Sequence, residues 1–180
     1  DRVVVLLDSP PRTVDPRFTI DSTSMKVSRM IFSALTTVDN DALEPRMELA
    51  TRIEPDETNP TLWHVWVRPG VTFHDGSPLT GEDVAYTYNS ILSTELGSPY
   101  RADFRTKMVR VDVDPNDPLH VLFTIRRPYA TFRTDLVVGI VPSLLQKREK
   151  QTFQPGEAIG TGPFQLIEWH HDRMVSLKRW

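Results

Sequence analysis

Four ionisable side chains lie within one short segment and have the right types to do chemistry together: His74, Asp75, Glu82 and Asp83. A histidine with neighbouring carboxylates is the set that general acid–base catalysis uses, and it is also a set that binds transition metals. One hypothesis is therefore a hydrolase that relies on His74 and the nearby acids. The structure that the surrounding residues predict decides whether these side chains can meet.

The residues around the two later acids predict the start of a helix. Asp75-Gly76 is a strong turn dipeptide, and Thr80 followed three residues later by Asp83 has the form of a capping box. Glu82 and Asp83 then lie in the first helical turn, where a carboxylate gains about 0.3–1 kcal/mol from the helix dipole. Helix initiation accounts for both acids without a reaction centre.

The histidines do not form a metal site by spacing. His74 and Asp75 are adjacent on an extended segment, so their side chains point to opposite faces. None of the other histidines has an HxH or HExxH spacing; they are His64, His120, His170 and His171. We therefore predict no catalytic residue, no metal site and no cofactor.

Composition describes an ordinary folded protein. The chain has 180 residues, 39% of them hydrophobic and 25% charged, with a net charge of −3 and no cysteine. The lack of cysteine excludes disulfides and thiol catalysis, and the absence of a basic stripe gives no support to nucleic-acid binding. No apolar run has the roughly 18 residues of a membrane span. No signal peptide begins at Asp1, as we expect of a processed chain.

Hydrophobic periodicity predicts a mixture of helices and strands. Strands are expected at 3–7, 62–67 and 71–73, and hairpins at 109–113 with 119–125 and at 164–169 with 174–178. One helix is expected from Ser24, capped by Ser22 or Ser24, and two more over 84–92 and 100–108. Helical turns are expected at 47–50 and 130–136. A last helix is expected to begin at Pro142 and to end within 146–151. The order is not a regular βαβ alternation, so the fold class is α/β in the mixed α+β sense and not a plain Rossmann sheet.

Two further features predict packing. Gly160-Thr161-Gly162-Pro163 lacks the third glycine and the lysine of a phosphate loop, and its proline removes an N–H donor, so we predict a tight backbone crossing. Trp63 and Trp66 are three residues apart on a strand, hence on opposite faces. One can belong to the core while the other lies at an interface, and a ligand-stacking role is the less favoured alternative.

Several spaced motifs together resemble the family 5 extracellular solute-binding proteins, the peptide, nickel and opine receptors of ABC importers. The main motifs are Leu49–Asp56, Leu62–Gly70, Val71–Gly76 and Leu79–Val84. Asp112–Pro115 with Val121–Phe123, and Ile159–Phe164, follow in the same order as in the family. Gly81 stands where alanine is usual, and Ile53 where tryptophan is common. The resemblance covers nearly all of the chain.

The resemblance implies a periplasmic binding protein of type II. Residues 1–43 would begin the core domain of the first lobe, 44–155 would form the extra small domain, and 156–180 would return to the core domain. Family members run to several hundred residues, so the second lobe is expected to be absent from this sequence. In such receptors the ligand binds in the cleft between two lobes, with no bond made or broken.

The resemblance also implies a site, partners and a location. The loop into the first long helix and the segment from Tyr100 would face the cleft, where hydroxyls and free N–H groups at a helix start suit a polar ligand group. The ligand-binding candidates are Ser22, Thr23, Ser24, Met25, Tyr100, Arg101 and Phe104. The expected partners are a peptide or other small solute and an ABC permease. The protein is expected to be a monomer that is periplasmic or extracellular, with membrane anchoring as a lipoprotein open for the full-length form. The alternative is a ligand-sensing domain of a regulatory or signalling protein on the same fold.

Overall fold

The computed structural model describes residues 7, 9–38, 44–147, 153, 157–170 and 174–180. The predicted strand at 3–7 lies outside these residues except for Leu7, as do the hairpin tip at 171–173 and the predicted helix end beyond Lys147. The helices are α1 (Ser22–Ile31), α2 (Gly81–Leu92) and α3 (Arg101–Lys107), with 3₁₀ helices η1 (Phe132–Leu136) and η2 (Ser143–Lys147). The strands are β1 (Thr36–Val38), β2 (Pro45–Met47), β3 (Ala50–Pro55), β4 (Leu62–Val67), β5 (Met108–Asp114), β6 (Asp117–Ile125), β7 (Phe164–His170) and β8 (Met174–Arg179).

A four-stranded antiparallel sheet of order β3-β4-β6-β5 forms the largest unit. Alternation along the strands turns one face inward, where Val65, Val121 and Phe123 are fully buried. Helix α2 covers this face with Tyr88 and Ile91, which are also fully buried. The opposite face carries polar and aromatic side chains, as an antiparallel sheet with one solvated face does.

The two tryptophans of β4 lie on opposite faces of this sheet, as predicted. The Trp63 ring stacks on Phe132 at a centroid distance of 4.5 Å, next to the buried core. Trp66 faces the other way, with the Arg52 guanidinium over its ring at 3.4 Å. Both predicted hairpins are confirmed, since β5 pairs with β6 and β7 with β8.

Two local predictions are wrong. The segment at 47–50 is not a helical turn, because β2 and β3 meet there and Ala50 pairs with Val67 of the neighbouring strand. Helix α1 is capped by neither Ser22 nor Ser24: the N-cap is Asp21, whose carboxylate accepts the Ser24 N–H at 2.8 Å. Tertiary pairing overrides local propensity in the first case, and aspartate is as good an N-cap as serine in the second.

A second hydrophobic cluster lies beside the sheet unit. It is built on α1 through Val27, Ile31 and Phe32, with Val141 and Leu166 packed against them. The glycine-rich segment at 160–163 crosses the end of α1 here, and the Gly162 N–H donates to the Ile31 carbonyl at 2.8 Å. The predicted backbone crossing is confirmed, whereas the predicted domain boundaries at 43 and 155 stay a prediction.

A buried arginine connects the segment before α1 to α2. Arg17 is fully buried, and its guanidinium forms two hydrogen bonds with Asp15, from Nη2 to Oδ2 at 2.8 Å and from Nε to Oδ1 at 3.0 Å. Its Nη1 reaches the hydroxyls of Ser90 at 3.1 Å and Tyr86 at 3.3 Å. Burial opposes a charged guanidinium, yet the contact with Asp15 outweighs it and the pKa of Arg17 lies above its ordinary value.

Candidate functional site

His74, Asp75 and Asp83 each bond to different partners in the structure. The Asp83 carboxylate accepts the Thr80 N–H at 2.8 Å and completes a capping box at the start of α2. Its other oxygen accepts the Ser143 N–H at 2.7 Å. The Asp75 carboxylate turns back on Ser77, whose N–H and hydroxyl donate to it at 2.9 and 2.6 Å. The prediction that the acids serve helix initiation and turn formation is confirmed.

His74 is occupied by backbone groups. It is 4% exposed; its Nε2–H donates to the Gly162 carbonyl at 2.9 Å, and its Nδ1 accepts the Gly160 N–H at 3.3 Å. Both ring nitrogens of a neutral imidazole are thereby used, one as donor and one as acceptor. His74 therefore holds the 160–163 crossing in place and has no nitrogen available for acid–base chemistry.

Replacing His74 with alanine is expected to destabilise the fold by about 3 kcal/mol, because two buried hydrogen bonds are lost and a cavity remains. Urea unfolding followed by circular dichroism measures this free energy. The matched control is His170→Ala: this side chain is 56% exposed in its pair with Glu168, so the change is expected within about 0.5 kcal/mol. Equal losses for the two variants would contradict the buried role of His74.

The candidate ligand site is a cavity of about 260 Å³ between α1, α3 and η1. Three of the predicted residues, Met25, Tyr100 and Phe104, line it. Met25 is 40% exposed and Phe104 is buried, and the Tyr100 hydroxyl donates to the Thr19 carbonyl at the cavity wall. An adaptable thioether and two aromatic rings form an apolar surface of the kind that small-molecule sites use.

The other predicted residues lie beside this cavity but do not line it. The Ser24 hydroxyl accepts the Arg12 N–H at 2.9 Å, so it anchors the preceding loop. Thr23 is buried with its hydroxyl 3.2 Å from that of Ser9, and the Arg101 Nε donates to the Leu92 carbonyl at 3.2 Å. Ser22 is exposed at the first position of α1. The structure thus brings together Met25, Tyr100 and Phe104, and the ligand contacts of all seven stay a prediction.

Charged side chains complete the cavity wall. Asp103 and Asp135 both line it, and the Lys107 ammonium bridges them at 3.0 Å and 2.8 Å. Burial disfavours that ammonium, but the hydrogen bonds that it donates to Asp135 and Asp103 outweigh the burial, so the pKa of Lys107 lies above its ordinary value. Arg29 adds a cation to the lining itself, whereas Lys107 lies behind the two carboxylates. Among the described residues, no group of three or more histidines and carboxylates could hold a metal ion.

Sequence reasoning missed Arg29, Asp103 and Asp135. Helical spacing contains the signal for two of them, because Arg29 lies four residues after Met25 and Asp103 lies three after Tyr100. Asp135 carries no such signal: the tertiary structure brings it to the cavity, where its carboxylate pairs with Lys107 of α3 at 2.8 Å.

The fold is thus a mixed α/β unit with a cavity between its first long helix, α1, and the short helix α3. The family model of the bacterial extracellular solute-binding proteins, family 5, matches residues 44–180. This match exceeds half of the chain, and the chain belongs to that family. No helix of the described segments is long and apolar enough to cross a membrane.

Individual relatives agree with this assignment. The oligopeptide-binding protein AppA of Bacillus subtilis is 28% identical, with 93% of this chain and 32% of AppA aligned. The solved structure of AppA in complex with a nonapeptide has a TM-score of 0.77 at 25% identity, over 95% of this chain and 34% of that one. A periplasmic oligopeptide-binding protein from Borrelia burgdorferi has a TM-score of 0.83 at 20% identity, over 95% and 37%, and shows the fold alone.

A regulator is also among the relatives. The HTH-type transcriptional regulator SgrR of Escherichia coli is 27% identical over 91% of this chain and 27% of SgrR. The chain spans about a third of the length of the curated relatives it matches.

Proposed function

We propose that the protein binds a peptide or a related small solute as the substrate-binding component of an ABC importer. The observation that carries this proposal is the cavity lined by Met25, Tyr100 and Phe104, in a chain similar to a protein solved with a nonapeptide. The mechanism is capture and delivery, with no bond made or broken.

The chemistry of the cavity favours a peptide-like solute. Its thioether and aromatic lining suits apolar side chains, whereas a peptide also carries charges of both signs at its ends. Asp103 on α3 and Arg29 on α1 line the cavity with opposite charges, which suits the two charged ends of a zwitterionic ligand. Ile20, 65% exposed, adds apolar surface close to Thr19 of the lining.

The chain corresponds to one lobe, so we expect it to bind weakly by itself. In family members the second lobe supplies the opposite wall, and without it half of the contacts are missing. We expect a peptide that contacts only this lobe to bind with a Kd of about 1 mM, equivalent to a binding free energy of about −4.1 kcal/mol. Micromolar binding by these 180 residues in calorimetry would contradict this expectation.

Amide NMR titration with di- to nonapeptides tests the site. We expect shifts confined to α1, α3, η1 and the other cavity-lining residues, and at least tenfold weaker binding for Met25→Ala. The matched control is Met30→Ala: Met30 lies on the same helix and is 39% exposed, close to the 40% of Met25, but is not part of the lining. No shift with any peptide at millimolar concentration would sink the proposal, and equal effects of the two variants would place binding elsewhere.

The remaining parts of the proposal concern the whole protein. We propose a monomer that works outside the cytoplasmic membrane with an ABC permease. The proposal includes a lipid anchor in the full-length form and no nucleic-acid binding through these residues. Permease and ATPase genes beside the coding sequence would support this.

The second candidate function is ligand sensing in a regulator, which the similarity to SgrR favours. The same cavity would then bind its solute to change the activity of an attached domain. A DNA-binding domain in the same reading frame would favour this function over import, and a lipoprotein signal would favour import.

A further inference from the structure

Four side chains form a hydrogen-bonded chain across the solvated face of the four-stranded sheet. Asp56 follows the end of β3, His64 lies on β4, His120 on β6 and Asp114 on β5, which is the spatial order of the strands. The distances are 3.0 Å from Asp56 Oδ2 to His64 Nε2, 2.8 Å from His64 Nδ1 to His120 Nε2, and 2.9 Å from His120 Nδ1 to Asp114 Oδ2. We call these four residues the cross-sheet chain; neither the family assignment nor the cavity accounts for it.

The two carboxylates at its ends are ionised acceptors. Hydrogen bonds from His64, Thr58 and Asn59 hold the pKa of Asp56 far below its ordinary value. Those from the Asn116 N–H and from His120 lower the pKa of Asp114. Each carboxylate can therefore only accept, and the imidazole nitrogen that faces it must carry a proton.

Counting protons then fixes the state of the histidine pair. His64 Nε2 and His120 Nδ1 each donate to a carboxylate, and the contact between the two rings needs one more proton between its nitrogens. Three protons lie on four nitrogens, whereas two neutral imidazoles carry only two. The three hydrogen bonds of the cross-sheet chain can therefore form together only when the histidine pair holds one proton more than two neutral imidazoles do.

The surroundings favour that positive charge. The Trp66 ring lies parallel to His120, with centroids 4.4 Å apart and an interplanar angle of 2°, an arrangement that stabilises a cationic ring. The Arg52 guanidinium lies over the same Trp66 ring at 3.4 Å, but Arg52 is paired with Glu54 at 3.7 Å, and Arg110 is paired with Asp112 at 3.0 Å. Asp117, in register with Asp114, accepts the Leu119 N–H at 2.9 Å.

We propose that His64 and His120 form a proton-binding site that couples the cohesion of the small domain's sheet to pH. With one shared proton, the chain links all four strands on the solvated face. Losing that proton leaves two lone pairs facing each other at 2.8 Å, and gaining another places two N–H groups there. Either change breaks the hydrogen bond between His64 and His120, which is the side-chain link between β4 and β6. This holds whichever solute the cavity binds.

Linkage gives the expected pH profile. An unfolded chain with two independent histidines binds two protons at low pH, none at high pH and one at about pH 6.5. With the proposed shared proton retained on folding, the pair's contribution to stability rises with pH below about pH 6.5 and falls above it. The carboxylates add a separate effect at lower pH: because their folded pKa values are depressed, their contribution is present above about pH 4 and is lost as the pH falls below it.

Thermal unfolding from pH 4.5 to 8.5 tests this profile. We expect the difference in Tm between the native protein and His120→Gln to be largest near about pH 6.5 and to shrink by about 2–4 °C on either side. His64→Gln, at a more exposed position, gives the same profile should His120→Gln not fold. His170→Gln, which removes a histidine paired only with Glu168 among the described contacts, should show no such maximum.

Imidazole NMR on ¹⁵N-histidine-labelled protein supplies the direct readout. A scalar coupling between His64 Nδ1 and His120 Nε2 should be present near about pH 6.5 and should vanish at both ends of the range. Asp114→Asn should narrow the pH range in which it is seen. No coupling at any pH, or a Tm difference independent of pH, would overturn the proposal. So would stabilisation by zinc chloride alone in the native protein but not in His120→Gln, since the pair would then be a metal ligand.

Discussion

Replacing Arg17 with methionine will destabilise the protein by about 3–5 kcal/mol. The substitution keeps the side-chain volume but leaves the Asp15 carboxylate buried, at 5% exposure, without its two hydrogen bonds from the guanidinium. It also removes the donors to Ser90 and Tyr86 that connect the segment before α1 to α2. An uncompensated buried charge is among the most destabilising changes that one substitution makes. Guanidinium chloride unfolding, compared with the native protein, gives the free energy.

Two variants show whether the loss comes from the unpaired charge. The double variant Asp15→Asn and Arg17→Met removes both charges and should recover a large part of the loss. Arg110→Met removes the arginine of a surface pair, in which the two side chains are 68% and 45% exposed, and should stay within about 0.5 kcal/mol. A double variant no more stable than Arg17→Met would show that packing around the guanidinium, and not its charge, sets the cost.

Replacing Gly160 with alanine should cost at least about 3 kcal/mol, above the usual range for overpacking. A Cβ at this position would lie 2.0 Å from the Ile31 carbonyl oxygen and 2.9 Å from the Phe32 ring. The backbone cannot move away easily, because the Gly160 carbonyl accepts the His74 N–H at 2.9 Å while the Gly160 N–H donates to the His74 ring. Urea unfolding measures the loss of stability. If the variant folds, the amide NMR titration with peptides should still show shifts in the N-terminal half of α1, because the crossing lies at the other end of that helix.

Gly70→Ala is the control for the general cost of replacing a glycine. Gly70 has a φ of +76°, and a Cβ there would meet nothing within 4 Å. Its replacement should therefore cost only the about 1–2 kcal/mol of a left-handed residue. A loss for Gly160→Ala no greater than this would mean that the crossing at the end of α1 relaxes to admit a methyl group.

Local patterns in the sequence predicted most of the elements. Helix α2 and the two hairpins follow from periodicity and turn chemistry, and the capping box at Thr80 and Asp83 explains the acids that first resemble a reaction centre. Strands β1, β2 and β3 were not predicted. Three residues each in β1 and β2 carry too little periodicity, and the conformation of all three strands depends on pairing, of β1 with β2 and of β3 with β4.

Contacts between side chains of segments far apart in the chain could not be predicted from the sequence. His64 and His120 are 56 positions apart, and nothing in their neighbours indicates that antiparallel pairing of β4 with β6 brings their rings into contact. Asp135 joins the cavity for a similar reason. The three cavity residues that were anticipated came from the resemblance to a family, since no local pattern distinguishes a tyrosine at a ligand site from one in a core.

The buried pair of Asp15 and Arg17 constrains how this protein can change over generations. A typical domain is stable by only about 5–15 kcal/mol. Replacing either partner alone therefore removes a large part of the free energy of unfolding, whereas replacing both together lowers it far less. Substitutions at the two positions should therefore be inherited together, or follow a change elsewhere that raises stability beforehand. Relatives that lack the arginine are expected to lack the aspartate as well.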